Sequence, residues 1–275
     1  MCDQQQLNAM KDIAIAAGRE ILAVYDSAEA IAVSAKQDDS PLTDADCRAH
    51  RLIVEQLGSL TPDIPVLSEE SEVIDYQIRR SWQRYWLVDP LDGTKEFLHG
   101  NGEFTVNIAL VEEGKAVAGV VHVPVSSVSY FGAEDLGAWK QGGVSADAQP
   151  ISSRAMRDND AVCIVASRRH RGEELDALIE HLQTNLGSTE LLSMGSSLKM
   201  CLLAEGKADI YPRLVPTSEW DTAAAHSILS AAGGEIVDFQ FQPLRYNTKA
   251  ELLNPYFIAL ADPHYPWQLL LEKLK

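Results

Sequence analysis

Apolar residues recur at helical spacing from Leu7 to Tyr25, in LNAMKDIAIAAGREILAVY, with few breakers. That pattern predicts a long amphipathic helix. The polar stretch AKQDDSPLTDAD, Ala35 to Asp46, predicts a loop. Thr43 or Asp44 is placed to cap a second helix running to about Leu57. IPVLSEES then reads as a short apolar strand ending in acids. YWLVDP reads as another, with Pro90 expected to end its hydrogen-bonded ladder.

The run from Phe104 to Gly143 alternates in the manner of a strand meander, with turns expected near Glu113-Gly114, Pro124 and Gly132. After about Ile151 the texture changes. AVCIVASR predicts a strand, EELDALIEHLQTNL a helix, SSLKMCLLAEG a helix and ADIYPR a strand. SEWDTAAAHSILSAAGG predicts one helix stopped by a glycine pair, and PYFIALAD and PWQLLLEKL close the chain as strand and helix. The sum is a mixed α/β chain with antiparallel sheets between helical layers. Two packed halves, about 1–150 and about 151–275, meet without a flexible tether.

The 275 residues, 46% of them hydrophobic, suffice for a substantial core. Forty acidic residues against 23 basic ones give a net charge of −17, which argues against nucleic-acid binding. The same charge poses a problem for an anionic substrate, which would need local positive charge from a few Lys and Arg or from metal ions. The four cysteines are scattered without a CxxC pair, so neither a zinc ribbon nor a redox motif is expected. No basic-then-apolar leader and no apolar run of about 18 residues is visible. The expected compartment is the cytoplasm, with peripheral attachment to the inner face of the cell membrane left open.

The chemistry concentrates in WLVDPLDGTKEF, Trp86 to Phe97. Asp89 and Asp92 crowd the end of an apolar strand, where two carboxylates repel and lose solvation unless a cation sits between them. At i and i+3, with Pro90 setting the bend, they could surround one hard divalent cation such as Mg²⁺ together with the Leu91 carbonyl. Gly93 lets the backbone approach a ligand. Other acids stand at element ends: Asp44 and Asp46, Glu69 and Glu70, and Asp221 beside Trp220. Singly these read as helix caps, a solvated pair and a dipole-complementing acid. The density of residue types in DPLDGT sets that segment apart.

WLVDPLDGTKEF resembles the first signature of the inositol monophosphatase-like, lithium-sensitive phosphatases, and EWDTAAAH resembles the second. The likeness spans nearly the whole chain. It implies a layered α-β-α-β-α sandwich and a phosphate monoester hydrolase using two or three Mg²⁺ ions. Transferred position by position, it makes Glu69, Asp89, the Leu91 carbonyl, Asp92 and Asp221 metal ligands. Thr94 would orient the attacking water, Asp46 would bond the Thr94 hydroxyl, and Glu70 would support from outside the metal contacts. Glu69, Leu91, Asp92, Gly93, Thr94 and Asp221 would also line the substrate. Lithium or excess Mg²⁺ should inhibit. The molecule would be a monomer or homodimer acting on a small nucleotide.

Within that family, Lys95 after the threonine resembles the 3'(2'),5'-bisphosphate nucleotidase branch. The expected reaction removes the 3'-phosphate of adenosine 3',5'-bisphosphate to give AMP, with 3'-phosphoadenosine 5'-phosphosulfate as a second substrate, a role tied to sulfate assimilation. Ser196 and Lys199, one helical turn apart, and Arg213 resemble that branch's clamp for the remote phosphate; outside the family context Lys199 reads as a solvated helix lysine. Leu214 stands where inositol phosphatases place a glutamate, and offers an apolar wall to an adenine. In ASRRHR, His170 is the expected nucleotide contact, against a plain solvated basic loop. An inositol-1-phosphatase or broad sugar phosphatase remains the alternative, and a noncatalytic phospholigand-binding protein is the alternative of another class.

Overall fold

The first helix starts at Asp3, whose carboxylate accepts from the Gln6 amide at 2.7 Å and satisfies one of the donors left free at a helix start. The computed structural model describes residues 2–27, 33–35, 41–143, 146–157, 161–167 and 172–271. The helix is α1 (Gln4–Tyr25). Two short antiparallel strands follow, β1 (Val33–Ala35) and β2 (Pro41–Thr43), the second of them inside the stretch expected to be a loop. Thr43 then caps α2 (Asp44–Leu60) through a capping box with Asp46.

Next come β3 (Val66–Ser68), α3 (Tyr76–Arg79), β4 (Arg84–Asp92) and the single-turn α4 (Thr94–Leu98). The meander is β5 (Thr105–Glu112), β6 (Lys115–Val123), β7 (Val128–Ala133), β8 (Gly137–Gly142) and β9 (Gln149–Ile151). Strands β3 to β9 lie in sequence order in one sheet, antiparallel except for the β3–β4 pair. The rest of the chain gives β10 (Val162–Ser167), α5 (Glu173–Leu186), β11 (Thr189–Met194), α6 (Leu198–Ala204) and β12 (Ile210–Arg213). A 3₁₀ turn at Glu219–Asp221 precedes α7 (Ala223–Ala231), β13 (Glu235–Asp238), β14 (Phe257–Leu260) and α8 (Trp267–Leu271). The second sheet runs β11-β10-β12-β14-β13.

Strand alternation separates the layers. Trp86 and Val88 of β4, with Val106, Ile108 and Leu110 of β5, join the apolar stripe of α1 and α2. Their neighbours Tyr85, Leu87, Ala109 and Val111 face the other way, onto α6 and α7. Those helices also cover Val165, Tyr211, Ile236 and Ala259 of the second sheet. Its far face, with Val162, Ile164 and Ile258, packs on α5 and α8. The order is the expected α-β-α-β-α sandwich. Both sheets are covered on two faces, which is why their central strands read as nearly continuous apolar runs. Each fully buried Leu, Ile or Phe contributes about 1.5–3 kcal/mol.

Four expectations are corrected. Pro90 does not end its ladder: β4 pairs β5 through Asp92, and the register slips between Asp89 and Asp92. Proline lacks the amide for a regular rung, so the strand bulges instead of stopping. Gly132 is no turn but sits inside β7, paired with Gly119 and Ala138. The second sheet is not wholly antiparallel, because β10 runs parallel to β11 and β12, joined through α5 and α6. The SEWDTAAAH stretch is not one helix, because Ser218 caps a separate 3₁₀ turn ending at Asp221.

Candidate active site

The β4 bulge explains how two acids from one strand meet. In a regular strand, Asp89 and Asp92 would face opposite sides. The extra residue in the bulge turns the chain, and the Leu91 amide, freed from the ladder, donates to Asp89 Oδ1 at 3.0 Å. Gly93 follows at φ +92°, a left-handed conformation that suits glycine, and α4 starts at once. The Thr94 hydroxyl points back to the Leu91 carbonyl at 3.5 Å.

Glu69 arrives from the neighbouring strand end, fixed by its amide donating to the Val88 carbonyl at 3.0 Å. Asp221 arrives from the other half of the chain, its Oδ2 accepting from the Ser218 amide at 2.8 Å. Burial, then repulsion from Glu69, Asp92 and Asp221, drives the Asp89 carboxyl far above the usual carboxylate range. Asp221 is raised in the same way, by burial first and then by Asp92 and Glu69. The nearby Glu69 side chain pushes the Asp89 carboxyl in the same direction. These acids therefore form one electrostatic unit.

Among the described residues, no three acidic, histidine or cysteine side chains already stand in an arrangement that holds a metal ion. The donor set nevertheless suits a hard cation. Glu69, Asp89, Asp92, Asp221 and the Leu91 carbonyl offer oxygen alone, without thiol or imidazole. A divalent ion would relieve the repulsion that raises Asp89 and Asp221.

The Asp46 carboxylate is buried at the start of α2, where Oδ2 accepts from the Thr43 amide at 2.8 Å and the Thr43 hydroxyl at 2.5 Å. Strand β2, which carries Thr43, packs on the short helix that Thr94 opens.

The remote group differs from expectation in shape. Ser196 is not on the helix with Lys199; it precedes α6 in a left-handed conformation, φ +43°. Lys199 is not a solvated lysine either. It is buried, and its ammonium donates to the Ser196 carbonyl at 2.6 Å and lies 5.4 Å from the Tyr211 ring centre. Burial lowers its pKa to about 8. Arg213, at the end of β12, donates to the Pro216 carbonyl at 3.5 Å and lines a cavity of about 340 Å³ with Tyr211, Leu214 and Gly172. Leu214 also lines a neighbouring cavity of about 690 Å³, walled by Phe239, Phe241 and Tyr256. His170 lies outside the described residues.

Sequence reasoning missed the polar groups that hold the acids. Asp92 Oδ2 accepts from the Ser197 amide at 2.6 Å and its hydroxyl at 2.7 Å, and from Asn107 Nδ2 at 3.4 Å. Asn107 carried a readable signal: one amide side chain amid the apolar residues of β5, now buried. A buried amide requires partners.

The fold and the acidic centre define a layered α/β protein of the phosphomonoesterase type. The chain belongs to the inositol monophosphatase family, whose profile matches residues 3–266. Phosphatases of this family depend on metal ions. Among its relatives is a Salmonella typhimurium protein named 3'(2'),5'-bisphosphate nucleotidase CysQ, 52% identical over 88% of this chain and 94% of that one. The Escherichia coli K12 protein of the same name is 48% identical over 91% of this chain and 98% of its own. The crystal structure of CysQ from Bacteroides thetaiotaomicron superimposes with a TM-score of 0.82 at 45% identity, over 94% of this chain and 97% of that chain. An IMPase of Thermotoga maritima shares the fold at a TM-score of 0.76, over 98% of both chains, at 22% identity. Among the described residues, no helix is long and apolar enough to cross a membrane.

Proposed function

We propose that this chain is a 3'(2'),5'-bisphosphate nucleotidase that hydrolyses the 3'-phosphate of adenosine 3',5'-bisphosphate to give AMP. The observation that carries this reading is identity of 45–52% to proteins named CysQ over most of both chains. 3'-Phosphoadenosine 5'-phosphosulfate presents the same 3'-phosphate and is a second candidate substrate.

The proposed metal ligands are Glu69, Asp89, the Leu91 carbonyl, Asp92 and Asp221, and the proposed ion is Mg²⁺, two or three per site. When bound, it supplies Lewis-acid stabilisation of charge on phosphoryl oxygens. The chain's own groups then have distinct tasks. Gly93, free of a side chain, leaves its backbone open to the phosphate. The Thr94 hydroxyl orients the attacking water, and the Asp46 carboxylate takes up its proton. No covalent phosphoenzyme is needed, since Thr94 has no strong base assigned to it.

Lys199 and Arg213 are proposed to attract the remote 5'-phosphate, with Ser196 offering a hydroxyl. Arg213 in the lining of the 340 Å³ cavity, and Lys199 at 5.4 Å from the ring of Tyr211 in that same lining, support the assignment, and Leu214 in its wall supports a place for the base. Incubation with adenosine 3',5'-bisphosphate and Mg²⁺ tests the reading. It should release one phosphate per nucleotide with AMP as product. Adenosine 5'-phosphate surviving intact fits the reading; release of the 5'-phosphate instead would overturn it.

A further inference from the structure

Ser197 lies between the two halves of the acidic centre. It is buried, and it precedes α6 directly. Its amide donates to Asp92 Oδ2 at 2.6 Å. Its hydroxyl stands 2.7 Å from the same oxygen and 2.7 Å from the Asp221 carbonyl, and it accepts from Asn107 Nδ2 at 2.9 Å. A serine hydroxyl has one proton and two lone pairs. It therefore shares that proton between Asp92, from the β4 bulge, and the backbone of Asp221, whose sequence position is more than a hundred residues away. Asn107 occupies the acceptor side and sets the direction in which the hydroxyl points.

The turn that carries Ser197 is itself held in place. The Gly195 amide donates to Glu103 Oε2 at 2.8 Å, and a Cβ on Gly195 would come within 3.0–3.1 Å of Glu103. The Lys199 ammonium holds the Ser196 carbonyl at 2.6 Å. Ser196 between them keeps a backbone conformation that non-glycine residues seldom adopt. A turn tethered at three successive residues has little freedom to let the hydroxyl drift.

We propose that Ser197 is a positioning residue for the metal centre: its hydroxyl couples Asp92 to the Asp221 segment and sets the two carboxylates for one shared cation. The proposal rests on the assignment of Asp92 and Asp221 as metal ligands. Groups that hold metal-ligating side chains in this way typically contribute about 10–100-fold to metal affinity.

The test is direct Mg²⁺ titration by calorimetry, with the Mg²⁺-induced rise in melting temperature as a second readout, on wild type, Ser197→Ala, Ser197→Thr and Asp92→Asn. Ser197→Ala should bind Mg²⁺ about 10–100-fold more weakly and show a smaller melting shift. Ser197→Thr, which keeps the hydroxyl, should recover most of the loss. If Ser197→Ala does not fold, Ser197→Cys, similar in size but a weak donor, carries the same expectation. Wild-type Mg²⁺ affinity in Ser197→Ala or Ser197→Cys, alongside its loss in Asp92→Asn, overturns the coupling and leaves the ligand assignment standing. Undiminished Mg²⁺ binding by Asp92→Asn overturns the ligand assignment itself.

Discussion

Gly119 of β6 and Ala224 of α7 are in direct backbone contact. A Cβ on Gly119 would overlap the Ala224 carbonyl oxygen and the Ser227 hydroxyl, and would lie 2.8 Å from the Ala224 Cα. The missing side chain lets α7 sit flush on the first sheet. That seating fixes the 3₁₀ turn that presents Asp221 to the acids of β4. On its far side, α7 is tied through His226, whose ring bonds Tyr246 at 2.8 Å and Glu235 at 2.6 Å.

Gly119→Ala should therefore act at a distance. The clash is with backbone, so α7 must shift, and overpacking of this kind costs about 1–3 kcal/mol. The melting temperature should fall, and kcat should fall with it because Asp221 moves with the helix. A variant that melts lower but keeps wild-type kcat would show that the seating of α7 does not set the active centre.

Lys199→Met separates the two tasks assigned to the buried ammonium. The Ser196 carbonyl loses its donor, so the melting temperature should fall by the equivalent of about 1–3 kcal/mol. The loss of one charge-assisted contact to the 5'-phosphate, about 1.5–3 kcal/mol, should lower kcat/KM for adenosine 3',5'-bisphosphate at least about tenfold more than for adenosine 3'-phosphate. Equal losses would reduce Lys199 to a tether of Ser196. Burial brings the ammonium to about 8, so in the free enzyme its preference for the second phosphate should decline as pH rises through that value.

Acid stability depends on His122, buried between α1 and Ser129. Burial lowers its pKa to about 4 from the usual 6.5. Between those values the unfolded chain takes up a proton that the folded one refuses, so stability rises with pH across that window and is lost as pH falls through it. The full effect is roughly 3 kcal/mol at 1.36 kcal/mol per pH unit. Glu219 opposes it: burial raises its pKa to about 7, so its contribution is complete below the unfolded value and fades as pH rises to 7. Melting curves of wild type and His122→Gln from pH 4 to 7 isolate the histidine. The variant should lack its part of the rise, and a profile parallel to wild type would contradict a neutral buried imidazole.

The legible part of this molecule was what repeats or what is chemically dense. Periodicity located α1, α2, α5 and the meander, and DPLDGT with EWD located the acids. Elements without such signals were missed. Strand β11, with Leu191 exposed, and the four-residue β13 leave too short a pattern to read. Pro90 misled because a proline that ends one ladder can, with a spare residue beside it, bend another. Lys199 misled because sequence cannot tell a helix face that meets water from one that meets Tyr211 and a carbonyl. Ser197 was invisible for a similar reason: its partners Asp92, Asn107 and Asp221 come together only when the two sheets pack around α6 and α7.

The most direct test compares kcat/KM for adenosine 3',5'-bisphosphate and inositol 1-phosphate on the same preparation with saturating Mg²⁺. A nucleotidase with cations at the remote phosphate and Leu214 beside the base should prefer the bisphosphate by at least about a hundredfold, the equivalent of roughly 2.7 kcal/mol. Equal rates, or a preference for inositol 1-phosphate, would contradict it.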